Sequence, residues 1–244
     1  ADAAATAAAA TITAADMGRL IGALAHDSAL GRDTPSRELE KAAEYIAARF
    51  RSLGLQPAGE NGTYIDRWDY EVPGFDADQT YVRVGDGPYS PRYERDFFLV
   101  RGQQPVTEAG GFYAGVAGET GPLPGAAAGK VHIFDVPGAE VGMEWQQTLL
   151  AAIQAAMSGG AAGVMVVLDP AFPDAMVGQL AEATVSQAAP IPVVGVTDGA
   201  ARQLVTAAGG DLAALRSAGQ PADLGATFRI AAVRTEENHR PPNV

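Results

Sequence analysis

The chain has 244 residues, a formal net charge of −12 and 47% hydrophobic residues. That length supports one large domain or two small ones, with a core that removes about 70% of the unfolded surface from water. An acidic surface repels nucleic-acid phosphates and an anionic membrane face. The lack of cysteine excludes disulfides and thiolate chemistry, and no apolar run reaches the ~18 residues that a membrane-spanning helix needs.

Residues 1–12 are nearly pure alanine at the start and are expected to be a disordered tail. Such a beginning suits the stretch after a removed signal peptide, and an arbitrary cut equally well; the first reading implies a secreted or periplasmic protein. Residues 13–60 read as a helical segment. The spacing of Thr13 and Asp16 predicts a capping box, with Asp where Glu or Gln is usual, leading a helix through Met17, Leu20, Ile21 and Leu24. After a polar turn containing His26, Asp27 and Gly31, Thr34 is the expected N-cap of the next helix, with Pro35 at its first position. Leu39, Ala43, Ile46, Phe50 and Leu53 fall on one face of that helix, Glu38, Lys41, Glu44 and Arg49 elsewhere, and Gly54 ends it. Asn61-Gly62-Thr63 is both a turn signal and an N-glycosylation sequon; the turn is the reading adopted here.

Residues 64–72, 80–84, 97–101 and 110–116 carry strand patterns separated by Gly, Pro and Asp, and 118–129 is a loop of mainly Gly, Pro and Ala. Residues 129–196 organise the chain: strand 131–136, helix 145–157, a tight turn into a continuous apolar strand ending near Asp169, then strand 191–196. Strands joined through a helix favour parallel pairing, and continuous Val-rich runs fit strands covered on both faces. Between the last two, residues 172–189 mix helix-compatible residues with a surface loop. Residues 197–208 follow as a helix, 212–219 as loop or short helix and 226–233 as an alternating strand. Residues 235–244 are polar and then proline-rich, a connector by composition. There is no internal repeat.

The residues offer no catalytic constellation. His26, His132 and His239 lack a His or Cys partner at ligand spacing, and there is no HExxH. Ser158 lies at a helix-to-strand turn, the reverse of a nucleophile elbow. The glycines at 115, 118 and 121 have no Gly-Lys-Ser/Thr after them, and those at 159, 160 and 163 lead into a strand, where no helix N-terminus waits for phosphate. Glu236-Glu237 sits in the polar terminal stretch. Asp135, Asp169 and Asp198 lie near predicted strand ends, where α/β sites cluster, although capping explains Asp198 equally well. No catalytic, cofactor-binding or metal-ligating residue is assigned.

Two stretches together resemble one family. Leu24-Ala25-His26-Asp27-Ser28-Ala29-Leu30-Gly31-Arg32, then residues 42–50 and 53–59, are similar to the N-terminal segment of secreted zinc aminopeptidases that carry a protease-associated (PA) insert, relatives of glutamate carboxypeptidase and the transferrin receptor. Gly129-Lys130-Val131, the helix into Gly160-Ala161-Ala162-Gly163-Val164, and Ile191-Pro192-Val193-Val194-Gly195-Val196 look like the PA domain itself. The resemblance implies a mixed α/β (α+β) fold: a PA-type β-sandwich or open barrel flanked by helices, with an N-terminal helical segment. It divides the chain into a helical segment at 13–60, a PA region with a β-rich lead-in at 61–234, and a linker at 235–244 to a peptidase domain.

In that family the zinc ligands include a His-x-Asp on a strand, and the general base comes from a Glu-Glu pair. This sequence has no His-x-Asp, and Glu236-Glu237 precedes the place where the zinc strand would start, so neither role carries over. The implied function is that of a non-catalytic front portion, capping the cleft of an exported zinc aminopeptidase and influencing substrate access or protein contacts. Zinc belongs to the peptidase domain, and the implied partners are that domain and its peptide or protein substrate. A stand-alone PA-type interaction module is the alternative, and an enzyme with an unseen site a third. With the peptidase domain absent, the apolar face from Leu39 to Leu53 is under-buried, so the helix is expected to fold back on the sheet or to pair with another copy.

Overall fold

The computed structural model describes residues 3–102, 106–184 and 189–244. Helix α1 (Ala3–Ala9) precedes α2 (Ala14–Leu24), a 3-10 turn at Asp27–Arg32 and α3 (Arg37–Ser52). Strands β1 (Asp66–Arg67), β2 (Tyr70–Phe75), β3 (Tyr81–Val84), β4 (Phe97–Arg101) and β5 (Val106–Val116) come next. They are followed by β6 (Val131–Val136), α4 (Met143–Ser158), β7 (Gly163–Leu168), α5 (Asp174–Thr184), β8 (Val193–Val196), α6 (Asp198–Ala207), α7 (Leu212–Ala218), β9 (Ala222–Ala231), β10 (Arg234–His239) and β11 (Pro242–Asn243). The fold is mixed α/β, as expected. The chain divides into two compact units: a terminal unit of Ala1–Val72 and Glu237–Val244, and a sheet unit of Pro73–Glu236.

In the terminal unit, the alanine tail expected to be disordered is helical over α1, with every residue exposed; alanine has the highest helix propensity. The capping box of α2 forms. Thr13 Oγ1 accepts from the Asp16 amide at 3.1 Å and donates to Asp16 Oδ2 at 2.6 Å. The cap of α3 is Ser36 rather than Thr34: Ser36 Oγ accepts from the Leu39 amide at 3.1 Å, so the serine beyond the proline takes the role. The stripe of α3 buries Ala43 and Ala47 and half-buries Leu39, Ile46 and Phe50 against the 3-10 turn and β11, while Leu53 stays 59% exposed. Gly54 takes φ 73° as the helix ends, and Asn61 and Gly62 turn with φ of 53° and 73°.

Residues 235–244 are not a plain connector. β11 pairs antiparallel with β1, matching Asp66 with Asn243 and Arg67 with Pro242. Arg67 forks onto both Glu40 oxygens at 2.8 Å and donates to the Arg240 carbonyl at 2.7 Å, and Arg240 reaches Glu60 at 2.7 Å. The compact terminal unit thus runs to Val72 and includes residues 237–244. Pairings between residues more than 170 positions apart leave no local pattern to read.

In the sheet unit, seven strands run in the order β3-β9-β5-β6-β7-β8-β4, in one curled, half-barrel sheet. β5 to β8 are parallel, joined through α4 and α5, while β9, β3 and β4 pair antiparallel. Every residue of β6, β7 and β8 is buried, which fits the unbroken apolar runs of β7 and β8 and the largely apolar one of β6. β6 explains why. His132 Cε1 lies 3.0 Å from where a Cβ on Gly159, at the end of α4, would stand, whereas Asp135 bonds Arg216 on α7. Residues three apart on a strand face opposite sides, so α4 and α7 cover opposite faces of the sheet.

Candidate functional site

The carboxyl ends of the parallel strands bring the flagged aspartates together. Asp135 is the penultimate residue of β6, Asp169 follows β7, and Asp198 follows the Thr197 that caps α6 after β8. Two clefts open there. One of about 590 Å³ is polar, with Arg92, Arg95, Asp96, Asp169, Asp174 and Asp198 on its walls. Its neighbour, about 330 Å³, is walled by Val116, Val136, Val167 and Arg216. Leu168, Asp169 and Pro170 line both.

Arg216 joins two of the three aspartates. Its Nη2 and Nε donate to Asp135 Oδ1 at 2.6 and 3.0 Å, and its Nη1 donates to Asp198 Oδ1 at 2.6 Å. Asp135 Oδ2 accepts from the Tyr113 hydroxyl at 2.6 Å, and Asp198 Oδ2 from Arg202 Nε at 2.6 Å. Asp169 stands apart, accepting from the amides of Ala171 and Gly138 at 2.8 and 3.2 Å and so holding two loops. Burial pushes the Tyr113 hydroxyl up, and its bond to Asp135 pushes it further. Burial opposes the charge on Arg216, but the bonds to Asp135 and Asp198 outweigh it and raise its pKa. Burial would likewise raise Asp198, yet the bonds from Arg202 and Arg216 hold its carboxyl below the usual range.

Sequence reasoning found the aspartates and missed Arg216 and Tyr113. A signal existed: residues 131–201 hold seven acidic residues and no lysine or arginine. A carboxylate buried in that stretch has to draw its counter-charge from outside it, and Lys130, Arg202 and Arg216 are the flanking cations along the chain.

The donor set does not fit a metal ion. Among the described residues, no group of three or more His, Asp or Glu converges to hold one, and the two carboxylates that approach each other are saturated by arginine and tyrosine. The histidines lie apart. His26 Nδ1 accepts from the Ser28 amide in the terminal unit, and His239 Nε2 lies 3.4 Å from Glu237. His132 is buried within β6. Glu236 and Glu237 are exposed on β10. Ser158 ends α4 at the turn into β7. The polar cleft, with both charge signs on its walls and no imidazole beside its hydroxyls Ser90 and Thr197, is suited to holding charged groups rather than to nucleophilic attack.

His132 gives the sheet unit an acid sensitivity. Its Nε2 lies 2.8 Å from the Ala127 carbonyl, which only accepts, so the proton sits on Nε2. Nδ1 is buried with no partner. Burial lowers its pKa, partly countered by the bond to Ala127. The folded state thus binds the second proton less readily than the unfolded state, and stability falls as pH drops below about 6.5 toward the folded pKa, by at most about 1.4 kcal/mol per pH unit. Urea unfolding between pH 7.5 and 5 should show that slope in wild type and a flatter one in His132→Leu. Equal slopes would remove the histidine from the account.

No protein-family model matches the chain, and no curated protein matches it. Among solved structures, it aligns with an aminopeptidase from Aneurinibacillus sp. strain AM-1 at 15% identity, over 94% of this chain and 46% of that one, with a TM-score of 0.41. It also aligns with BSAP, a zinc aminopeptidase from Bacillus subtilis, at 12% identity over 84% and 40% of the two chains, with a TM-score of 0.40. The chain spans less than half the length of either. No helix among the described residues is long and apolar enough to cross a membrane.

Proposed function

We propose that the chain is the non-catalytic front portion of an exported zinc aminopeptidase, in which the sheet unit is a PA-type insert that governs access to a cleft carried by a separate peptidase domain. The observation that carries this is the order of the chain. The sheet unit (Pro73–Glu236) leaves and re-enters the terminal unit (Ala1–Val72 and Glu237–Val244), and β1 pairs with β11 across the two stretches that flank it. An insertion of that kind is what the motif resemblance implies. The terminal unit also presents Ile12, Met17, Ile21, Leu30 and Leu55 to solvent, apolar side chains that a docking domain would cover.

The test has two arms. The purified chain should bind no stoichiometric zinc and should not hydrolyse leucine p-nitroanilide; chelator-sensitive turnover would sink the proposal. In a protein carrying this chain beside a peptidase domain, replacing residues 73–236 by a short Gly-Ser linker should change kcat/KM for long peptides relative to the anilide. An unchanged ratio would argue against a role in access.

A further inference from the structure

A third cleft, of about 370 Å³, lies between β4, α4 and α5 and shares no lining residue with the two clefts at the strand ends. Its walls are largely aliphatic, with Val100, Leu149, Ile153 and Leu180 among them, and three nitrogen-bearing side chains, Arg101, Trp145 and the exposed Gln146, line it as well. Arg101 and Trp145 each hold a buried donor without an acceptor. Trp145 is 5% exposed and its Nε1 has no hydrogen-bond partner among the described residues; Arg101 is half-buried, and its Nε has none among them either. Among the described residues no carboxylate pairs with Arg101, although Arg67, Arg216, Arg229 and Arg240 are each paired.

The backbone places Arg101 there by an irregularity. β4 pairs Leu99 with Val194 and Arg101 with Val193, so two steps on β4 match one on β8. That bulge makes Val100 and Arg101, which a regular strand would point to opposite faces, line one cleft. A buried donor left without an acceptor costs about 1–3 kcal/mol, a cost that an occupant with carboxylate oxygens offsets.

We infer that this cleft binds a free aliphatic monocarboxylate of medium chain length, its headgroup on Arg101 and the Trp145 indole N–H and its tail along Val100, Leu149, Ile153 and Leu180. The chemistry selects the class. One unpaired cation calls for one anionic group, the planar guanidinium matches a carboxylate fork, and apart from the exposed Gln146 the remaining wall offers aliphatic contact. The volume lies within the range of small-molecule sites.

Trp145 is also the reporter, since the sequence has one other tryptophan, Trp68. In a Trp68→Phe background, octanoate should produce a saturable change in tryptophan emission. Calorimetry on the unaltered chain should return the same dissociation constant. 1-Octanol, with the same tail and no charge, should bind about tenfold or more weakly, and Arg101→Gln should weaken octanoate by a similar factor while leaving octanol unchanged. The inference is overturned by the absence of saturable octanoate binding in both measurements, by equal affinity for octanol, by an Arg101→Gln variant that binds octanoate as before, or by binding of N-acetyl-leucine alone, which would make the cleft a seat for peptide C-termini.

Discussion

Arg216→Ala should destabilise the sheet unit by about 3–5 kcal/mol, the cost of removing one partner from a buried ion pair. The Asp135 and Asp198 side chains are only 12% and 13% exposed, so neither carboxylate gains much water when the guanidinium leaves. For a unit of this size the loss corresponds to a fall in melting temperature of about 10 °C or more. Arg216→Lys should recover only part, because one ammonium cannot fork toward two carboxylates. A triple variant, Asp135→Asn, Asp198→Asn and Arg216→Met, should be less destabilised than Arg216→Ala, since a neutral replacement leaves no stranded charge. The pH dependence has a definite sign. Asp198 has a lowered pKa in the folded state, so its pairing stabilises above the unfolded value near 4 and is lost as pH falls through the folded value below that. Arg216→Ala should therefore be less acid-sensitive below about pH 4 than wild type. A loss under 1 kcal/mol on urea unfolding would show that the pair contributes nothing net.

Gly195→Ala should cost about 3 kcal/mol, the upper end for adding a methyl group to a packed core. Gly195 and Phe98 are direct cross-strand partners on β8 and β4, and a Cβ on Gly195 would stand 2.4 and 2.5 Å from Phe98 Cε1 and Cζ. Phe98 is 1% exposed, so its ring has nowhere to retreat. Phe98→Leu frees the space, and a double-mutant cycle should show Gly195→Ala costing at least about 1 kcal/mol less in that background. Strict additivity of the two changes would mean that the backbone relaxes instead. Gly111 on β5, whose added Cβ would meet Phe228 at 2.3 Å, repeats the arrangement. In both places the sheet uses glycine to seat a neighbouring aromatic ring, and not for its backbone freedom.

The parallel core was legible because its signals are local. Residues 163–168 and 193–196 are unbroken apolar runs, and 131–136 is an apolar run interrupted by His132 and Asp135, with turn residues between them, and a buried strand needs little more than that to be seen. The capping box at Thr13 and the αL glycine at Gly54 were equally readable, since each depends on residues within four positions, whereas the cap of α6, offered to Asp198, falls on Thr197. The cap of α3 was misplaced by two residues because Thr34 and Ser36 offer the same chemistry and only the helix start chooses between them. β5 and β9 begin four residues before their expected starts, because a ladder with a neighbour extends a strand beyond its own apolar pattern. The helix α5 lies in the stretch read as mixed, and residues 185–188 of that stretch fall outside the described residues.

The candidate site was half legible. An aspartate at the end of a parallel strand stands out against valines, and all three were visible. Their division into a linked pair and a separate loop anchor depends on Arg216, 81 residues from Asp135, and on Tyr113, placed by the parallel register of β5 and β6. Arg101 and Val100 share a cleft only because of a bulge that no residue pattern announces.

The sequence by itself determined the class of fold, the parallel strands, their covering on both faces and most helix ends, because propensity, periodicity and capping act over a few residues along the chain. The tertiary structure alone decided where the units divide, which cations the buried acids meet and which donors are left without an acceptor. Those outcomes come from groups far apart in sequence meeting at low dielectric, where an unmet charge or hydrogen bond costs several times what a local preference contributes.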